Sequence, residues 1–178
     1  MNRKTKFVIC CILFFIINGC SQSGRQAYTP TGGEFSYVPP EHWVLRDLPG
    51  YKYKLATGQP SEGFAPNIGV VDEYAPVTLD DYVAGNLRMM PRMLEKMGGN
   101  PPKVLNRAEF TTDSKERGVR VVTESEMGGK KIMRQIFYFF DGENGNKFVV
   151  TCSALGAARE SYDKLCDTSI KTFKAGRA

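Results

Sequence analysis

The sequence predicts an α+β fold in which helices flank an antiparallel β-sheet. Three observations carry this reading. Four strand-like segments in the second half are joined by connections too short for anything but antiparallel neighbours. A long apolar stripe recurring every three or four residues separates them from an earlier strand-rich block, and a second helical segment closes the chain. At 178 residues the length suits one domain with a sizeable core and is short for two.

Folding signals begin at Glu34. Residues 35–37 alternate as a short strand that Pro39-Pro40 stops. Residues 43–48 and 51–56 read as two strands around the Pro49-Gly50 turn, and 67–74 alternates as a strand ending before Pro76. Thr78 is suited to cap a helix, with Asp80 and Asp81 favourably placed at the positive end of its dipole. Leu79, Val83, Leu87, Met90, Leu94 and Met97 then form one apolar stripe ending at Gly98-Gly99. Pro91 removes a donor inside it, which predicts a kink or a break.

Residues 104–112, 119–127, 131–141 and 147–154 read as strands, separated by turn chemistry at Asp113-Ser114, Gly128-Gly129 and 142–145. Ile136, Phe137, Tyr138, Phe139 and Phe140 make the third of these apolar on both faces, as a central covered strand requires. Residues 159–173 form the closing helix, with Tyr162, Cys166, Ser169 and Phe173 on one side.

The N-terminal segment carries its own signal. Arg3, Lys4 and Lys6 precede an unbroken apolar run from residue 7 to 17. That run is about half the roughly 20 residues a spanning helix needs, so it reads as the hydrophobic part of an export signal. Ile17 and Gly19, standing three and one before Cys20, resemble a bacterial lipobox. The resemblance implies cleavage before Cys20, a diacylglyceryl thioether on its sulfur and acylation of the new amino group, with two or three chains giving a stable anchor. A plain secretory signal cut elsewhere and an uncleaved membrane segment are the other readings. Ser21 resembles the residue that permits transport to the outer membrane in Gram-negative bacteria. The domain plan is therefore a signal peptide over 1–19, a lipidated flexible tether over 20–33, a folded domain over 34–174 and a tail over 175–178.

The formal charge is +5, and removing the three N-terminal cations leaves +2. That is too weak a bias for a nucleic-acid surface. Cys10 and Cys11 leave with the signal and Cys20 is spent on lipid, so Cys152 and Cys166 remain. Alternation in the strand and periodicity in the helix aim both at one sheet–helix interface. In an exported domain this predicts a disulfide between them, the alternative being two buried thiols packed as small hydrophobes.

With these elements placed, the mature chain resembles the PsbP-like superfamily, which includes the extrinsic PsbP subunit of photosystem II and the bacterial lipoprotein DcrB. The likeness rests on Phe35, Tyr37, Pro39, Pro40 and Trp43, on Asn67-Ile68 with Val70-Val71, on 149–152, and on Thr172-Phe173. It implies an α/β/α sandwich that acts as a non-enzymatic binding or assembly module. No metal-binding or photosystem-binding residue carries over.

Candidate chemistry is sparse. His42 is the only histidine and lies in a Pro-rich turn, so it reads as a turn residue rather than part of a triad or metal site. No nucleophile-elbow, zinc-protease, C-x-x-C, P-loop or Rossmann pattern occurs. The oxygen-rich 141–146 loop fits a hairpin better than an EF-hand, because its glycine falls one place early. Tyr82, Met89 and Met93 project from the flank of the long helix. They read as core-edge packing or as an adaptable contact surface for a partner, with soft-metal binding a distant third. The sequence thus predicts a membrane-anchored envelope lipoprotein without cofactor or metal, working on an envelope protein partner. The competing reading is an envelope hydrolase whose scattered carboxylate or hydroxyl site leaves no motif.

Overall fold

The computed structural model describes residues 26–96, 100–127, 131–156 and 159–176. The signal segment with Cys20, the Gly98-Gly99 and Gly128-Gly129 turns and Met97 lie outside the described residues. Nine strands and two α-helices follow in the order β1 (Phe35–Ser36), β2 (Val44–Arg46), β3 (Leu55–Thr57), β4 (Asn67–Tyr74), α1 (Leu79–Lys96), β5 (Lys103–Thr111), β6 (Arg117–Met127), β7 (Lys131–Asp141), β8 (Asn146–Leu155), α2 (Arg159–Ile170) and β9 (Lys174–Ala175).

Seven strands form one antiparallel sheet in the order β2-β3-β4-β8-β7-β6-β5. The topology follows from α1. The chain leaves β4 in the middle of the sheet, and α1 carries it to the far edge, where β5 begins. The β5-β6-β7-β8 meander then walks back until β8 pairs with β4 along eight residue pairs, Asn67–Ser153 to Tyr74–Asn146. Thr78 caps α1 as expected, its Oγ1 accepting the Asp81 amide at 3.2 Å. The helix runs as one element through Pro91 without the predicted break.

Period-two alternation sorts the strands onto two layers. Ile136, Tyr138 and Phe140 of β7 join Val150 and Cys152 of β8 under Cys166, Ile170 and Phe173. On the opposite face Phe139 and Val121 pack under Val83, with Leu79 and Leu87 beside them. The α2 layer is aromatic: Phe173 stacks on Phe140 at 4.7 Å between centroids, and Phe35 meets Tyr53 edge-on at 4.8 Å. Gly118 of β6 is required by this packing, since a Cβ there would lie 2.6 Å from both the Phe139 carbonyl oxygen and the Phe140 ring.

Three features depart from the sequence reading. The β2–β3 ladder is shorter than two strands around Pro49-Gly50 would give, pairing only Val44–Thr57 to Arg46–Leu55. The closing helix ends at Ile170, because 174–175 leave it to pair with Phe35-Ser36 as β9. Part of the expected tether is folded: Tyr28 is buried, exchanges backbone hydrogen bonds with Tyr37 at 2.7 and 3.1 Å, and packs edge-on against Phe35. The aromatic cluster offers that side chain more burial than a free linker could, and the tether is shortened at its C-terminal end.

Candidate functional site

The sequence singled out the flank of α1. Asp80 reaches Arg107 of β5 at 2.7 Å, so one side of the helix faces that edge. Tyr82 and Met89 project from the other side at 100° per residue. Tyr82 corrects the expected surface: it is only 7 % exposed, packs edge-on against Phe139 and donates its hydroxyl to Glu73 of β4. The sheet extends beneath that flank far enough to cover Tyr82. Burial, with Glu73 adding to it, pushes the Tyr82 hydroxyl above its ordinary 10.0. Met89 is 52 % exposed, and the Met93 side chain lies outside the described residues.

Glu73 and Val71 alternate onto the same sheet face, and Val71 is 55 % exposed. Val44 at the β2 edge is exposed as well. α1 covers β6 and β7, whereas among the described residues no helix packs over the β2-β3-β4 half of this face. Val44, Val71 and Met89 are therefore solvent-exposed apolar side chains on the α1 side of the molecule.

The other face holds a polar network that the sequence reading missed. Arg134 of β7 donates from Nε and Nη2 to both carboxylate oxygens of Asp163 on α2, at 2.8 and 2.6 Å, and from Nη1 to Glu124 of β6 at 2.9 Å. Arg120 of β6 donates to Asp167, one helical turn on, at 2.7 Å, and Tyr138 donates to the same oxygen at 2.6 Å. The arginine and carboxylate side chains are 14–34 % exposed. Hydrogen bonding to Asp163 raises the Arg134 pKa. At Arg120 burial opposes the charge, but Asp167 outweighs it and the pKa is also raised. Two signals were in the sequence: carboxylates four apart on α2, and arginines interrupting otherwise apolar faces of neighbouring strands.

Beneath that network Cys152 and Cys166 meet in one interface, as their faces predicted. They are free thiols, so the predicted disulfide is corrected to two buried thiols. Burial first, and hydrogen bonding to Cys166 second, raise the Cys152 pKa well above its ordinary 9.0. Both side chains are fully buried there and pack as two small hydrophobes.

The remaining motifs are structural. His42 is exposed with φ of 65°, 3.6 Å from Glu41. The 141–146 loop is a hairpin closed by the Gly142 amide on the Asn146 carbonyl at 2.8 Å. Among the described residues no group of three or more His, Cys, Asp or Glu is placed to hold a metal ion.

No family model and no curated protein matches the sequence. Solved structures do match. The solution structure of cyanobacterial PsbP (CyanoP) from Synechocystis sp. PCC 6803 aligns with a TM-score of 0.65 at 15 % identity, covering 89 % of this chain and 98 % of that one. The Saccharomyces cerevisiae Ran-binding protein Mog1p aligns at 0.58 and 11 % identity, covering 84 % and 94 %. LpqN of Mycobacterium tuberculosis, described as involved in cell envelope biogenesis, aligns at 0.56 and 13 % identity, covering 85 % and 90 %. These likenesses run over 84–89 % of the chain, so the chain has the PsbP-like fold, here an antiparallel sheet with a helix on each face.

Proposed function

We propose that this protein is a lipid-anchored cell-envelope lipoprotein that works as a non-enzymatic binding or assembly module. The anchor is Cys20, and the lipobox-like 17–20 segment supports it. The observation that supports the binding role is that Val44, Val71 and Met89 are 52–55 % exposed on the α1 side of the molecule. Methionine suits such a surface because its unbranched side chain repacks against different partners at little cost. The folds named above add a consistent precedent: Mog1p is a Ran-binding protein, and LpqN is tied to envelope biogenesis. Serine at position 21 favours the outer membrane if the cell is Gram-negative.

A photo-crosslinking amino acid placed at Val71 or Met89 of the anchored, full-length protein tests this directly. The same envelope protein should be captured from both positions, and Met89→Asp should abolish capture from Val71. Equal capture of that protein from Lys164 on the opposite helix, or none from either position, would contradict the assignment.

A further inference from the structure

The connection between β2 and β3 turns tightly at its tip, where the Tyr51 amide donates to the Leu48 carbonyl at 3.2 Å and Gly50 takes a φ of 84°. Glycine adopts that left-handed conformation without penalty, which lets the chain reverse here. Leu48 is 40 % exposed and Tyr51 54 %, and Pro49 between them is exposed as well. The tip is therefore apolar, where Asn, Asp and Ser are the usual polar occupants of a turn.

The hairpin does not stand alone. Lys52 pairs with Asp72 at 2.9 Å, which holds the arm beside the C-terminal end of β4. At that end Tyr74 is 74 % exposed, and just beyond it Val77 is 49 % exposed. Leu48, Pro49, Tyr51, Tyr74 and Val77 thus gather at one end of the sheet. Scattered apolar side chains on a surface are ordinary, but a cluster that includes two tyrosines has the composition of a water–lipid boundary, where the ring is buried and the hydroxyl stays wet.

The place where the chain enters the domain says what lies opposite. Tyr28 is fixed to the same hairpin: its hydroxyl accepts the Lys54 amide at 3.1 Å, three residues from Tyr51, while its backbone pairs with Tyr37. The eight steps from Cys20 to Tyr28 span at most about 28 Å. A lipid on Cys20 therefore keeps the bilayer within reach of the hairpin tip.

We propose that this end of the domain docks on the bilayer that carries the anchor, setting Leu48, Pro49 and Tyr51 at the level of the headgroups with Tyr74 and Val77 beside them. The docking rests on the lipid anchor at Cys20 proposed above; it does not depend on a protein partner at Val71 and Met89. So few side chains hold a lipid surface only marginally by themselves, and the short tether supplies the local concentration that makes the contact persist. Both hairpin lysines are already paired, Lys52 with Asp72 and Lys54 with Asp47, so the contact is apolar and indifferent to anionic lipid.

The full chain, purified from cells and reconstituted into phosphatidylcholine vesicles that contain no other protein, tests this with two readouts. Flotation with the vesicles reports the anchor, and quenching of an introduced tryptophan by brominated lipids reports the docking, over the background of Trp43, the chain's one tryptophan. Tyr51→Trp should lose about half or more of its added fluorescence to lipids brominated close to the headgroup, and less to lipids brominated near the chain end. Lys164→Trp should lose none, since the neighbouring Asp163 bonds Arg134 toward the opposite end of the sheet from Tyr74. Leu48→Asp in the Tyr51→Trp chain should float as before, keep its melting temperature and lose the quenching. Phosphatidylglycerol added to the vesicles should change none of this. A chain that does not float overturns the anchor and the docking with it. A floating chain overturns the docking alone if Tyr51→Trp is unquenched, as it would be were the tip a protein contact, or if Lys164→Trp is quenched equally. Quenching that survives Leu48→Asp, or that requires phosphatidylglycerol, overturns it too.

Discussion

Arg134 on β7 grips Asp163 on α2 through both carboxylate oxygens, at 2.8 and 2.6 Å, while its third nitrogen holds Glu124 on the neighbouring strand. One side chain thus ties the terminal helix to two strands of the sheet. The planar guanidinium fits this fork-to-fork geometry in a way that lysine does not.

Removing Asp163 leaves that guanidinium without its main partner and also removes the 3.6 Å contact that Asp163 makes with Arg120. Asp163→Ala should cost about 2–3 kcal/mol in urea unfolding, less than the ~3–5 kcal/mol of a fully buried pair because solvent still reaches the site. Asp47→Ala breaks an exposed pair with Lys54 and should change stability by less than about 1 kcal/mol. Equal losses from the two variants would show that the network contributes no more than a surface pair.

Gly118 faces Phe140 in the β6–β7 register. A methyl group there meets a backbone carbonyl as well as a ring edge, and the carbonyl cannot turn away without loosening the ladder. Gly118→Ala should destabilise the chain by about 1–3 kcal/mol despite the better strand propensity of alanine. A neutral or stabilising result in chemical denaturation would mean that the two strands can separate locally at no cost.

Burial is the first cause that raises the Cys152 thiol above 9.0 and the Tyr37, Tyr138 and Tyr162 hydroxyls above 10.0. The folded chain keeps these protons at a pH where the unfolded chain releases them. Their contribution to stability is therefore complete below the ordinary values and is lost as pH rises above them. The urea midpoint should be flat from about pH 7 to 8.5 and fall progressively above about pH 9. A midpoint that rises over the alkaline range would contradict the burial of these groups.

The same burial makes both cysteines unreactive while the chain is folded. A thiol reagent should label neither Cys152 nor Cys166 in native protein taken from the envelope, and both once it is unfolded without reductant. Zero labelling after unfolding would reveal a bridge in place of the two thiols.

Much of the fold was legible because its signals are local. The 67–74 and 131–141 strands and the start of α1 at Thr78 were marked by alternation, turn residues and a cap, which neighbours in sequence decide. What escaped depends on distant partners. Tyr28 looks like linker until Tyr37 and Phe35 are folded beside it, and 171–173 look helical until the chain turns there to bring 174–175 alongside β1. Tyr82 was placed correctly on the flank of α1, but only the sheet topology shows that Glu73 lies beneath that flank.

The proposed anchor governs where every other activity of this protein takes place, and fatty-acid labelling tests it most directly. Cells producing the full chain are fed an alkyne fatty acid, and the purified protein is probed for the tag and for its distribution between membrane and soluble fractions. Label is expected on the wild type in the membrane fraction and none on Cys20→Ser, with that variant released or stalled as precursor. Label retained by Cys20→Ser, or none on a membrane-bound wild type, would contradict it.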